Sequence, residues 1–200
     1  MAYMIGTSFE HPYDEYVLHF VDSSDALKAF FQSTPPHPGT MVDSSWTNGA
    51  TIPADVVPKQ VRITEGPDRF YDWHSVGSAN LVSQAFKDVF DSLAKGQQQF
   101  FPVDVFYKTG EPAPGAYYLF NVPNVIDSIV PERSNLEPFG HSYLGKEGPW
   151  QVELSVAKIG SLSAWVEMRY PFQFVSDRTA AALRARQLKG FRLFDYCSEA

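Results

Sequence analysis

Leu81-Val82-Ser83-Gln84-Ala85-Phe86, near the middle of the chain, and Phe174-Val175-Ser176-Asp177-Arg178-Thr179, near its end, open the same pattern. In each copy an apolar run ends at a serine whose hydroxyl can accept from an unpaired N–H of a first helical turn. A short amphipathic segment follows. In the first copy Val82, Phe86, Val89, Phe90 and Leu93 recur at helical spacing on one face. A glycine then offers the left-handed backbone that ends a helix, Gly96 in one copy and Gly190 in the other. An aromatic strand-like run closes each unit, residues 99–107 and 191–196. Two copies of strand, capped helix, glycine and strand predict an α+β protein with a mostly antiparallel, twisted sheet and two short, repeat-related helices packed on it.

Further strands are expected around these units. Residues 3–6 and 60–64 read as short strands, residues 17–21 have an ambiguous period, and Ser23 or Ser24 can cap a helix through Phe31. Residues 116–121 form a hairpin with 99–107, and Pro102 marks an edge or a bulge. Residues 152–159 and 163–170 alternate and suggest a tight hairpin. Residues 131–148 are polar and turn-rich and read as loop. Residues 1–70 then form a loop-rich, acidic N-terminal lobe beside a domain of residues 71–200, unless the two make one continuous domain.

Charge and composition narrow the function. The chain carries a net −7, and its Lys and Arg make no stripe, so the electrostatic footprint of a nucleic-acid binder is missing. Residues 1–75 hold ten acids against four bases, whereas the remainder is nearly balanced. The acidic third is therefore the expected docking face for a basic partner, although a solvated surface explains the same charge. Arg184, Arg186 and Lys189 near the end of the second repeat helix are accounted for by its dipole. A single cysteine, Cys197, excludes an internal disulfide and a thiolate metal cluster. The first ten residues do not read as a signal peptide, and no apolar run approaches a bilayer span, so a cytoplasmic protein without a membrane partner is expected.

No reactive set stands out. The five histidines show no metal-ligand spacing, and neither a nucleophile elbow nor a phosphate loop is present, so neither metal nor cofactor is expected. Tyr71-Asp72-Trp73-His74 is the most reactive-looking cluster, since an Asp beside a His can tune an imidazole. Its structural reading, with Trp73 in the core and Asp72 pairing locally, is the better one.

The second half resembles a family of immunity proteins from bacterial polymorphic-toxin and type VI secretion systems. The resemblance rests on Tyr71-Asp72-Trp73, Leu81-Val82-Ser83 and Gln99-Phe100-Phe101-Pro102-Val103-Asp104-Val105. It continues through Tyr117-Tyr118-Leu119-Phe120-Asn121-Val122, Val125-Ile126-Asp127 and Glu132-Arg133-Ser134-Asn135 to Phe174-Val175-Ser176 and Lys189-Gly190-Phe191. It implies a binder without catalytic residues, which neutralises a toxin encoded by a neighbouring gene. An acidic binder suits a basic toxin such as a nuclease, blocked at its active site. Aromatics beside acids in the N-terminal third, Tyr13, Asp14, Glu15, Tyr16, Asp43 and Trp46, are the candidate contacts. The alternatives are an interaction or regulatory module with no toxin partner, and an enzyme in which Asp72, His74 and His141 converge.

Overall fold

Both serine caps form. In a computed structural model, the Ser83 hydroxyl accepts from the Phe86 N–H and the Ser176 hydroxyl from the Thr179 N–H, each at 3.3 Å. The structure describes residues 2–10, 15–34, 46–140, 142–147, 151–195 and 197–199. In chain order the first elements are β1 (Ala2–Thr7), β2 (Val17–Phe20), α1 (Asp25–Ser33), β3 (Gln60–Glu65), β4 (Trp73–Val76), β5 (Ala79–Ser83), α2 (Gln84–Ala94), β6 (Gln99–Phe106), β7 (Tyr117–Asn121) and β8 (Val125–Ile126). After a 3-10 turn at Pro131–Arg133 come β9 (Leu136–Phe139), β10 (Ser142–Gly145), β11 (Val152–Leu154), α3 (Val156–Ile159), β12 (Ala164–Glu167), β13 (Tyr170–Ser176), α4 (Asp177–Ala185), β14 (Phe191–Phe194) and β15 (Cys197–Glu199).

The α+β expectation holds, with two main sheets where one was expected. Six strands in the order β2-β3-β6-β7-β5-β4 form a sheet whose edge strands β2 and β4 come together, so it is nearly closed. Five strands in the order β14-β1-β13-β12-β8 form the second sheet. Pairing is antiparallel throughout both sheets except for β3 with β6 and β12 with β8. Strand alternation sorts the side chains into three cores. Leu81, Phe101 and Leu119 point into the nearly closed sheet beside Trp46, Val61 and Ile63. Their neighbours Val82, Phe100 and Phe120 point outward into a second core, which α2 and α4 share with Tyr3, Ile5 and Val175 of the other sheet. Met4, Trp165 and Phe174 face the opposite way, into a third core closed by Leu136, Tyr143, Val152 and Leu154. The repeat helices thus pack against each other between the two sheets.

Several expectations need correction. Residues 152–159 and 163–170 do not form a hairpin: β11 pairs in parallel with β15, residues 156–159 turn into α3, and β12 pairs with β13. Alternation reveals a buried face but not the strand that supplies the partner. The stretch 131–148 contains the β9–β10 hairpin, anchored by buried Leu136 and Tyr143. Pro102 is tolerated because β3 joins β6 only at Asp104–Phe106, leaving Pro102 where β6 has one neighbour, β7. In the two sheets, β1 lies between β13 and β14, and β3 pairs with β6.

The two glycines differ in role. Gly96 takes φ 86° just after α2, as expected. The second helix instead ends at Ala185, and Gln187 takes the left-handed turn at φ 54°. Gly190, at φ 99°, serves close approach, since a Cβ there would sit 2.3 Å from the Trp73 carbonyl oxygen.

Candidate functional site

Asp72 joins the two repeats. Its carboxylate accepts from the Ser83 hydroxyl at 2.7 Å and from the Lys189 N–H at 2.8 Å. Its N–H donates to the Lys189 carbonyl at 3.0 Å, and its carbonyl accepts from the Ser83 N–H at 3.1 Å. Trp73 is buried in the second core and donates its indole N–H to the Thr7 hydroxyl at 3.1 Å. The cluster that looked reactive is therefore a latch between segments distant in sequence.

His74 is 3% exposed, and its Nε2 accepts the Tyr71 backbone N–H at 2.8 Å. Burial pushes its pKa down to about 4, so the ring is neutral at pH 7. With its basic nitrogen occupied by a backbone donor, His74 is poorly placed to take a substrate proton. His141 lies outside the described residues. Cys197 is buried, and burial pushes its thiol up to about 12, which leaves no thiolate for attack. Among the described residues no three His, Cys, Asp or Glu side chains gather to hold a metal ion.

The surface beside His74 is more informative. A cleft of about 400 Å³ opens where β1 meets β4, walled by Met4, Phe9, Tyr16, His74, Phe172 and Phe194. Phe9 is 79% exposed and Phe172 is 42% exposed. Tyr16 packs edge-on to Tyr71 and to His74, with ring centroids 5.7 and 4.7 Å away. Burial, joined by the neighbouring Tyr71, pushes its hydroxyl pKa upward. The exposed acids Glu10 and Glu15 adjoin the wall residues Phe9 and Tyr16 in the chain. Gly66 leaves room for the Glu15 carbonyl, which would lie 2.8 Å from a Cβ at that position. An apolar hollow with exposed aromatics, next in the chain to two acids, is a surface suited to a protein partner.

The sequence candidates separate in space. Glu15 is exposed and Tyr16 walls this cleft. Trp46 is only 2% exposed; it stacks edge-on with Phe31 and Phe101 and contributes to a different hollow of about 270 Å³ beside α1. Tyr13, Asp14 and Asp43 lie outside the described residues. Sequence reasoning missed Phe9, Phe172 and Phe194. Phe9 sits in a polar stretch, where an aromatic with no periodic neighbours was the available signal. Phe172 alternates with buried Phe174 and reads as core, so nothing in the pattern separates it.

Aromatics converge on an open cleft, while the most reactive-looking side chains are engaged in holding the fold. Residues 19–197 match the immunity protein family (Imm11), and the chain belongs to that family. Such proteins bind a cognate toxin and are generally non-enzymatic. No curated protein matches the chain. No helix among the described residues is long and apolar enough to cross a membrane.

Proposed function

We propose that this protein neutralises its cognate toxin in the cytoplasm by covering the toxin's active site, and that its contact surface is the cleft walled by Phe9, Tyr16 and Phe172. The observation that carries this reading is the 79% exposure of Phe9 at the mouth of an apolar cleft next to Glu10. Large apolar side chains left in water at one hollow serve as anchors for a partner, and acids around them steer a positively charged one. The concentration of net charge in residues 1–75 supports a basic toxin, such as a nuclease delivered by a polymorphic-toxin or type VI system and encoded beside this gene.

The test is co-expression with the product of the adjacent gene, followed by growth rescue and pull-down at low and high salt. A stoichiometric complex that rescues growth, weakens with salt and fails in a Phe9→Asp, Phe172→Asp double variant is the expected result. Rescue that survives the double variant would place the contact elsewhere. Absence of both complex and rescue would overturn the immunity reading for that gene pair.

A further inference from the structure

Strand β14 is an edge of the five-stranded sheet. Its register with β1 pairs Thr7 with Phe191, Gly6 with Arg192, Ile5 with Leu193 and Met4 with Phe194. The next pair along is Ser8 with Gly190, and there the Ser8 N–H donates to the Gly190 carbonyl at 3.0 Å. Bonded pairs alternate in an antiparallel ladder. Arg192 and Phe194 therefore spend their backbone groups on β1, and the N–H and C=O of Phe191 and Leu193 turn outward. No described strand pairs on that side.

Beside this edge lies a groove of about 550 Å³ between the end of α4 and β14. Leu183, Leu188 and Leu193 line it, with Arg184, Lys189 and Arg192 as its cations. The ion pairs of the described residues involve none of these three. Arg184 and Arg192 instead lie over the rings of Tyr3 and Phe194, at 4.4 and 5.1 Å. The helix dipole accounts for Arg184 in the last turn of α4, but not for Lys189 and Arg192, which lie beyond the helix. Three cations face one acid of the groove, Glu10, in a chain of net charge −7.

We infer that the open edge of β14 takes an extended, acidic segment of the toxin as an added strand. Main-chain bonds to Phe191 and Leu193 would supply affinity, and the cations would select the acidic side chains. The four residues of β14 span about 13 Å, enough for a segment of four or five residues. A second copy of this chain is a poor occupant, because antiparallel self-pairing centred on Arg192 would set that guanidinium against its own counterpart. The inference rests on the toxin-binding reading but not on the Phe9 cleft.

Amide hydrogen exchange at Phe191 and Leu193 tests it, in the free protein and with the product of the adjacent toxin gene. In the complex both amides should slow by about a hundredfold as their N–H groups acquire partners. A Lys189→Glu, Arg192→Glu double variant should weaken the complex about tenfold at low salt and less at high salt. Leu193→Pro removes an outward donor without touching a bond to β1 and should also weaken binding. A rescuing complex in which both amides exchange at the free rate, and in which the charge reversal binds like the parent, overturns the added strand while leaving neutralisation intact. Protection that rises with the concentration of this protein alone would assign the edge to a second copy and overturn the inference. Failure to form any complex would remove both readings.

Discussion

Single residues carry unequal shares of this fold. Gly190→Ala must relieve a 2.3 Å contact with backbone and a φ of 99°, whereas Gly96→Ala meets nothing within 4 Å and strains only its own φ of 86°. Denaturant unfolding should show a loss of about 1 kcal/mol for Gly96→Ala and at least two to three times that for Gly190→Ala. Equal losses would mean that the Trp73 segment moves aside readily. Glu167 is fully buried and accepts from the Ser128 N–H at 2.9 Å and the Ser128 hydroxyl at 2.6 Å. Burial outweighs those bonds and pushes its pKa up to about 7. A native carboxyl that holds its proton after the unfolded chain has lost it stabilises the fold below the unfolded value, near 4.5, and that contribution disappears as pH rises through 7. His74 has the opposite slope, because its depressed pKa removes stability as pH falls from 6.5 to about 4. The two offset each other across mildly acidic pH. Glu167→Gln should therefore gain on the parent between pH 4.5 and pH 8 by roughly 2–3 kcal/mol, at about 1.4 kcal/mol per pKa unit. A stability difference that is flat with pH would show that Glu167 is ionised in the native state.

At the scale of elements, the fold depends on how the repeats are joined. Ser176→Ala removes a helix cap and should cost about 1 kcal/mol. Asp72→Ala removes the acceptor for both Ser83 and Lys189, and charged acceptors are worth about 1.5–3 kcal/mol each, so the latch should cost more than the cap. Thermal melts of the two variants check the order. By contrast the Arg186–Asp88 pair between α4 and α2, at 3.9 Å and half-exposed, should change stability by less than about 1 kcal/mol when Asp88 is replaced by Ala. The caps were legible because capping is local: the serine and the N–H it serves lie three residues apart. The latch was legible only as a cluster of residue types, since Lys189 lies 117 residues from Asp72. The false hairpin at 152–170 shows the same limit. Val152 and Leu154 alternate as a strand should, yet their partner β15 is far along the chain.

For the whole molecule, the charge distribution sets how association responds to salt. Exposed acids at the cleft act through a field screened over about 8–10 Å at ordinary ionic strength, so they govern encounter more than residence. Glu10→Lys with Glu15→Lys should slow association with a basic toxin several-fold at low salt, with the effect shrinking at high salt, as measured by stopped-flow mixing. A rate that does not respond would mean that the acids of residues 1–75 are a solvated face. The same molecule carries a basic edge at β14 whose groove Glu10 also lines, so Glu15→Lys alone separates the cleft from the edge.

The sequence by itself determined the α+β class, the two capped helices, most strands of the regular half and the resemblance to immunity proteins. These follow from periodicity, caps and short motifs, which act over a few residues. Tertiary structure decided that the aromatic load is divided among three cores, that β1 lies inside the second sheet, and that Phe9 and Phe172 meet at one cleft. It also decided that His74 is neutral and buried and that Phe191 and Leu193 turn their backbone outward. The reason is physical: alternation records which face of a strand is apolar, whereas pairing, burial and exposed edges depend on contacts between residues tens to hundreds of positions apart.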